Sequence, residues 1–128
     1  EFIAITAGDF NWSDQSNRGH ATYTDTTGGS AKSLEGVDVF ATKIIPKGFT
    51  ATAGIIYGSS TSDNHIWYSS SLSVGTSADV GTGTTAIGTD KTWGTNVVGD
   101  GETYVIVKVD NDDNADEIYG GKIYIKRT

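Results

Sequence analysis

The densest chemistry in the sequence lies in one acidic run, Asp110-Asn111-Asp112-Asp113-Asn114-Ala115-Asp116-Glu117. Oxygen ligands at alternating positions suit Ca²⁺, which takes six to eight of them. Asp110, Asp112, Asn114 and Asp116 are the candidate ligands. Asp110, Asp112 and Asn114 match the opening of an EF-hand loop, but Ala115 stands where glycine is required and Gly121 where the bidentate Glu belongs. Both flanks also read as strands rather than helices. An EF-hand is excluded, and the run is expected to be a solvated hairpin loop whose charge opposes edge pairing. Ca²⁺ is the one cofactor it would suit.

Catalytic arrangements find little support. The absence of cysteine removes a thiol nucleophile, a Cys-ligated zinc site and a disulfide scaffold. His20 and His65 leave little room for a His-rich metal centre, and both are expected at turns or on the surface. No G-x-S-x-G elbow is present to complete a Ser-His-Asp set. Gly81-Thr82-Gly83-Thr84-Thr85 lacks the lysine of a phosphate-cradling loop, and no G-x-G-x-x-G precedes a helix. The acidic residues fall mostly in turns, not in the paired setting that glycoside hydrolysis needs. No catalytic residue is assigned, and an enzyme is the least favoured class. Asn11-Trp12-Ser13 matches the glycosylation triplet, a short motif that also arises by chance.

The aromatic residues offer binding rather than reaction. Trp12, Trp67 and Trp93 are the candidates for an interface or a sugar-stacking platform. Trp67 and Tyr68 are neighbours in a strand-like segment, so they point to opposite faces and one should be buried. Trp12 and Trp93 sit in loop-like segments beside Asn11 and Gly94, which makes them the better platform candidates. The competing role for tryptophan in a small β domain is a plug in the core or at a subunit interface.

The elements that position these side chains are strands. No stretch of 11 residues keeps a helical apolar period without a Gly or Ser/Thr interruption. Strand patterns cover residues 2–7, 21–24, 37–45, 50–57, 65–72, 96–98, 103–109 and 122–126, separated by polar turn segments. Gly54 inside one of them suggests a bulge or a close backbone contact. Residues 73–91 are loop-like, with room for one short strand. The segments 103–109 and 118–126 read as a closing pair, and the first and last strands are expected to be neighbours or edges. Lys122, Lys126 and Arg127 suggest a solvated edge strand. The prediction is an all-β, single-domain fold over 1–128, an antiparallel β-sandwich or small β-barrel of about seven to eight short strands.

Size and charge narrow the function classes. The chain has 128 residues, enough for one core. A net charge of −7 repels a phosphate backbone, so no nucleic-acid partner is expected. No apolar run approaches the roughly 20 residues that span a bilayer, so no membrane partner is expected either. The sequence contains no Met, so Glu1 is expected to follow a cleavage or a leader, with Glu1-Phe2 as a cloning scar the alternative.

Two segments carry a resemblance. Lys43-Ile44-Ile45-Pro46-Lys47-Gly48-Phe49-Thr50-Ala51-Thr52 leads into Ile55-Ile56-Tyr57-Gly58-Ser59. Later, Gly101-Glu102-Thr103-Tyr104-Val105-Ile106-Val107-Lys108-Val109 is followed by Ile118-Tyr119-Gly120-Gly121-Lys122-Ile123-Tyr124-Ile125. Over residues 37–128 the chain resembles small virion structural proteins of marine tailed phages, of the T4-like cyanophage type. Residues 1–36 lie outside the resemblance. It implies a non-enzymatic virion component, in particular a capsid decoration or cement protein that binds the major capsid protein or other virion proteins. It also implies a homo-oligomer, with a trimer as one form. The Pro46–Gly48 and Gly120-Gly121 positions carry over as scaffold turns. The expected location is the virion, at the capsid surface or on tail or fibre, and otherwise extracellular. The alternatives are a carbohydrate-binding module or adhesin using exposed tryptophan, and an extracellular filament subunit that donates an edge strand.

Overall fold

Alternating apolar and polar residues make most of the chain strand, and the strands pack as two antiparallel sheets. The computed structural model describes residues 1–12, 21–23, 31–33, 38–110 and 116–128, with backbone alone for 12, 21–23 and 31–33. The strands are β1 (Phe2–Thr6), β2 (Asn11–Trp12), β3 (Ala21–Tyr23), β4 (Ala31–Ser33), β5 (Val39–Ile44) and β6 (Phe49–Gly58). They continue with β7 (Asn64–Ser71), β8 (Ala78–Asp79), β9 (Thr85–Ala86), β10 (Lys91–Val98), β11 (Thr103–Asp110) and β12 (Glu117–Arg127). The first sheet runs β10-β6-β12-β4-β3, with β1 also on β12. The second runs β2-β5-β11-β7-β8, with β9 also on β7. The predicted all-β sandwich is the architecture.

In sequence order the longer strands β1, β5, β6, β7, β10, β11 and β12 alternate between the two sheets. Each link between them crosses the sandwich. The link from Asp110 to Glu117 is therefore a crossover, not the expected hairpin, and β11 and β12 are not a pair. The reason is occupancy: β11 already has β5 on one edge and β7 on the other. β12 is likewise central, between β6 on one side and β1 with β4 on the other. The expected edge strand at Lys122–Arg127 is thus an interior one. Its lysines lie on the outward face, while Ile123 is buried. The first and last strands are neighbours, as expected.

Gly120 and Gly121 lie within β12 instead of forming a turn. A Cβ on Gly120 would lie 2.6 Å from the Ile5 carbonyl oxygen, and one on Gly121 would strike that of Ile55. The glycine pair lets β12 fit between β1 and β6. Gly120 also has a φ of 145°, which disfavours other residues.

The core fills with period two from both sheets. Val39, Ala41, Trp67, Val105, Val107 and Val109 face inward from the second sheet. Ile5, Ala51, Ile56, Trp93, Ile118 and Ile123 face them from the first. Each fully buried Val or Ile contributes roughly 1.5–3 kcal/mol of transfer free energy. A bulge in β6 adjusts the phase: Tyr124 pairs Ala53 and Ile125 pairs Ala51, leaving Thr52 extra. Ala51, Gly54 and Ile56 can then all be buried. At one end, the Thr6 N–H donates to Asp9 Oδ2 (2.9 Å), and Lys43 Nζ lies 2.9 Å from the same oxygen. These bonds tie the β1–β2 corner to β5.

Candidate functional site

Two of the three tryptophans proposed as surface platforms are core residues. Trp67 is 0 % exposed and Trp93 4 %. Their rings meet at 5.3 Å between centroids with a 43° tilt. Neither offers a ring face to a ligand. Trp67 is the buried member of the Trp67-Tyr68 pair, as alternation required. Trp93 corrects the loop expectation: it lies in β10, where Trp93 and Val97, four residues apart in the strand, are both buried. Thr92, Gly94 and Thr95 around it disguise the strand. Trp12 has its backbone in β2, paired with Val39, and its side chain lies outside the described residues.

His65, expected at a turn or surface, is also fully buried. Trp67 Nε1–H donates to His65 Nδ1 at 2.7 Å, so Nδ1 is the acceptor and Nε2 carries the proton. Nε2–H then donates to the Thr89 carbonyl at 3.0 Å. Burial pushes the imidazole pKa below its ordinary value, partly opposed by the Thr89 and Ala86 carbonyls. The clue was legible: His65 and Trp67 are two apart in a strand, so the face that buries one buries the other. His20 lies outside the described residues.

The segment 80–90, loop-like in sequence, closes over this trio. Val80 and Gly81 donate their N–H groups to the Trp67 carbonyl, and Ile87 donates to that of Asp63. The Gly88 N–H donates to Ile56 O at 2.7 Å, which bonds the segment to the other sheet. Gly54 supplies room from below: a Cβ there would come within 2.8 Å of Trp67 Cε2 and closer to two other ring atoms. The expected close contact at Gly54 is therefore with an indole ring.

Two of the four Ca²⁺ candidates fall among the described residues. Asp110 is exposed at the end of β11, Asp116 precedes β12, and Asp112 and Asn114 lie outside the described residues. Among the described residues no group of three or more His, Cys, Asp or Glu side chains converges to hold a metal ion.

What the described structure presents outward is two sheet faces. On the second sheet, Ile44 lies opposite Tyr104, and Ile106 lies between Thr42 and Tyr68. Ile44 is 49 % exposed, and Leu72 and Val74 beyond β7 are 65 % and 50 % exposed. A hollow of about 430 Å³ is lined by Thr42, Ile44, Leu72 and Tyr104. A second, of about 300 Å³, adjoins it through Ser71 and Thr103 and includes Val74. At the far end the face closes with an ion pair, Lys108 Nζ to Asp38 Oδ2 at 3.8 Å.

On the first sheet the outward face is aromatic and charged. Phe2 lies opposite Tyr124, and Lys122 Nζ sits 4.7 Å from the Phe2 ring centroid and 6.0 Å from that of Tyr57. The Tyr124 hydroxyl donates to Asp90 Oδ1 at 3.1 Å. Nothing in the sequence marked these residues as a cluster, because they come from four separate segments.

Among the described residues no helix is long and apolar enough to cross a membrane. Compared with known protein families and with curated proteins, the chain matches none.

Proposed function

We propose that this chain is a non-enzymatic structural protein of a virion, a decoration or cement protein bound to a capsid surface. The observation that supports it best is where the reactive side chains are spent. His65 has both ring nitrogens hydrogen-bonded inside the core, and Trp67 and Trp93 fill that core. These groups hold two sheets together and are not available to a substrate. The phage-like segments around Pro46 and Gly120 supply the virion context, and many copies on a lattice would bind by avidity from modest contacts. The test adds purified chain to capsids lacking it and measures co-sedimentation. Saturation at a fixed number of copies per capsid is expected. Sedimentation no greater than that of an unrelated acidic domain would end the proposal.

A second reading, a carbohydrate-binding module or adhesin, draws support from the first sheet's outward face. A pyranose has an apolar C–H face for Tyr57 and a hydroxyl rim for Asp90 and Lys122. It moves the platform from the tryptophans to Phe2, Tyr57 and Tyr124. Binding on a glycan array that disappears in Tyr57→Ala would favour it, and an array without hits would dismiss it.

A further inference from the structure

We propose that residues 78–90 form an acid-released strap, which neutral His65 holds shut and protonated His65 frees. The imidazole lies between two unequal neighbours. On one side the Trp67 Nε1–H donates to Nδ1 at 2.7 Å. On the other the Nε2–H donates to the Thr89 carbonyl at 3.0 Å, within the strap. A further proton makes both ring nitrogens donors. Nδ1–H then faces the indole N–H, donor against donor. Turning the ring over brings no acceptor to that side.

Trp67 cannot yield. Its ring packs on Trp93 at 5.3 Å between centroids and fills the space over Gly54, whose added Cβ would strike it. The strap can. Its strands β8 and β9 pair β7 over two residues each, and Val80 and Ile87 are its buried apolar anchors. The N–H groups of Val80, Gly81, Ile87 and Gly88 hold it to the carbonyls of Trp67, Asp63 and Ile56. The charged groups around the ring come from several elements. Asp90 and Lys91, at the strap's end, act on it with opposite sign. Asp63 is buried in the turn before β7. On β11 Val109 lies opposite His65, with Lys108 and Asp110 beside it on the alternate face. On β9 the opposite residue is Thr85, and the core residues that the first sheet sends inward carry no charge. With the strap open the imidazole meets water and titrates near its ordinary 6.5, whereas burial holds it lower when the strap is closed. The open form therefore binds the proton more tightly. As pH falls below 6.5 the opening constant rises, by up to about tenfold per pH unit, until the pKa of the closed form is reached. The device does not depend on what the chain binds.

Amide hydrogen exchange of the full chain tests it, read by NMR from about pH 7.5 to about pH 5.5 and corrected for the intrinsic exchange rate. Opening constants for the Val80, Gly81, Ile87 and Gly88 amides should rise below pH 6.5 in the wild type. At every pH Val105 and Val107 of β11 should stay better protected, so that the strap opens ahead of the whole molecule. His65→Gln has no proton to take up there and should hold the four constants level. Strap exchange that is unchanged across the range in the wild type overturns the proposal, as does an equal rise in His65→Gln. Equal opening constants in the strap and in β11 overturn it too, because the proton would then enter only on global unfolding. That last comparison is made within the wild type, so it decides the matter even where the variant does not fold.

Discussion

Among the described residues, His65 is the histidine through which pH acts on this fold. Burial lowers its pKa in the folded state, while in the unfolded chain it titrates near its ordinary value of 6.5. As pH falls through that value the unfolded chain takes up more protons, so stability declines from there down to the folded pKa. The slope is at most about 1.4 kcal/mol per pH unit. Asp9 and Asp100 are also lowered, but their stabilisation is lost only as pH falls below their ordinary 3.8. Urea midpoints measured from pH 8 to pH 5 should therefore fall below pH 6.5 in the wild type and stay nearly flat in His65→Gln. Equal slopes would show that His65 does not carry the effect. Gly54 poses a steric test beside it. Trp67 cannot swing away, because its Nε1–H is bonded to His65 and Trp93 packs on its ring. Gly54→Ala should cost about 1–3 kcal/mol in urea denaturation. Trp67→Phe in that background should recover part of it, and additive losses would disprove the clash.

The interior strands β11 and β12 are among the fold's strongest elements. β11 and β12 have partners along both edges and send Val105, Val107, Val109, Ile118 and Ile123 into the core. β10 pairs β6 in two short stretches, with an irregularity between Thr92 and Val97. That break, with Lys91 at its start, makes a poor template for another chain's strand. Local opening free energies should follow the same order. Hydrogen exchange should be slowest in β11 and β12 and markedly faster in β10 and β8. Equal protection in β10 would mean that edge position does not set the hierarchy here. β1 is already paired along β12, from Phe2 with Tyr124 to Thr6 with Gly120, which bears on the filament alternative: its donor strand is in use within the chain.

Over the whole molecule, charge and apolar surface oppose each other. The net charge of −7 keeps copies apart, whereas Ile44, Leu72 and Val74 on the second sheet are exposed apolar side chains that favour contact. Salt screens the first term over about 10 Å at 0.1 M and leaves the second largely unchanged. Raising the salt concentration should thus weaken the repulsion between copies and increase concentration-dependent association, as read by sedimentation. Dissociation on adding salt would point to an interface built on ion pairs and away from this face.

Much of this was written in the order of residues. Strand content, the inward alternation of 105, 107 and 109, the burial of one of Trp67 and Tyr68, and the tight contact at Gly54 all follow from local rules of side-chain direction and size. The absence of cysteine and the net charge excluded whole classes of chemistry before any fold was known. What local rules could not supply was pairing. That consecutive long strands alternate between sheets, that the acidic run is a crossover, and that Gly120 and Gly121 let a central strand fit between two neighbours depend on contacts between distant segments. Burial of Trp93 and His65 follows from the same contacts. A strand's pattern states that one face is covered. Which segment covers it is settled when two sheets compete for the same apolar surface, and that competition belongs to the assembled molecule.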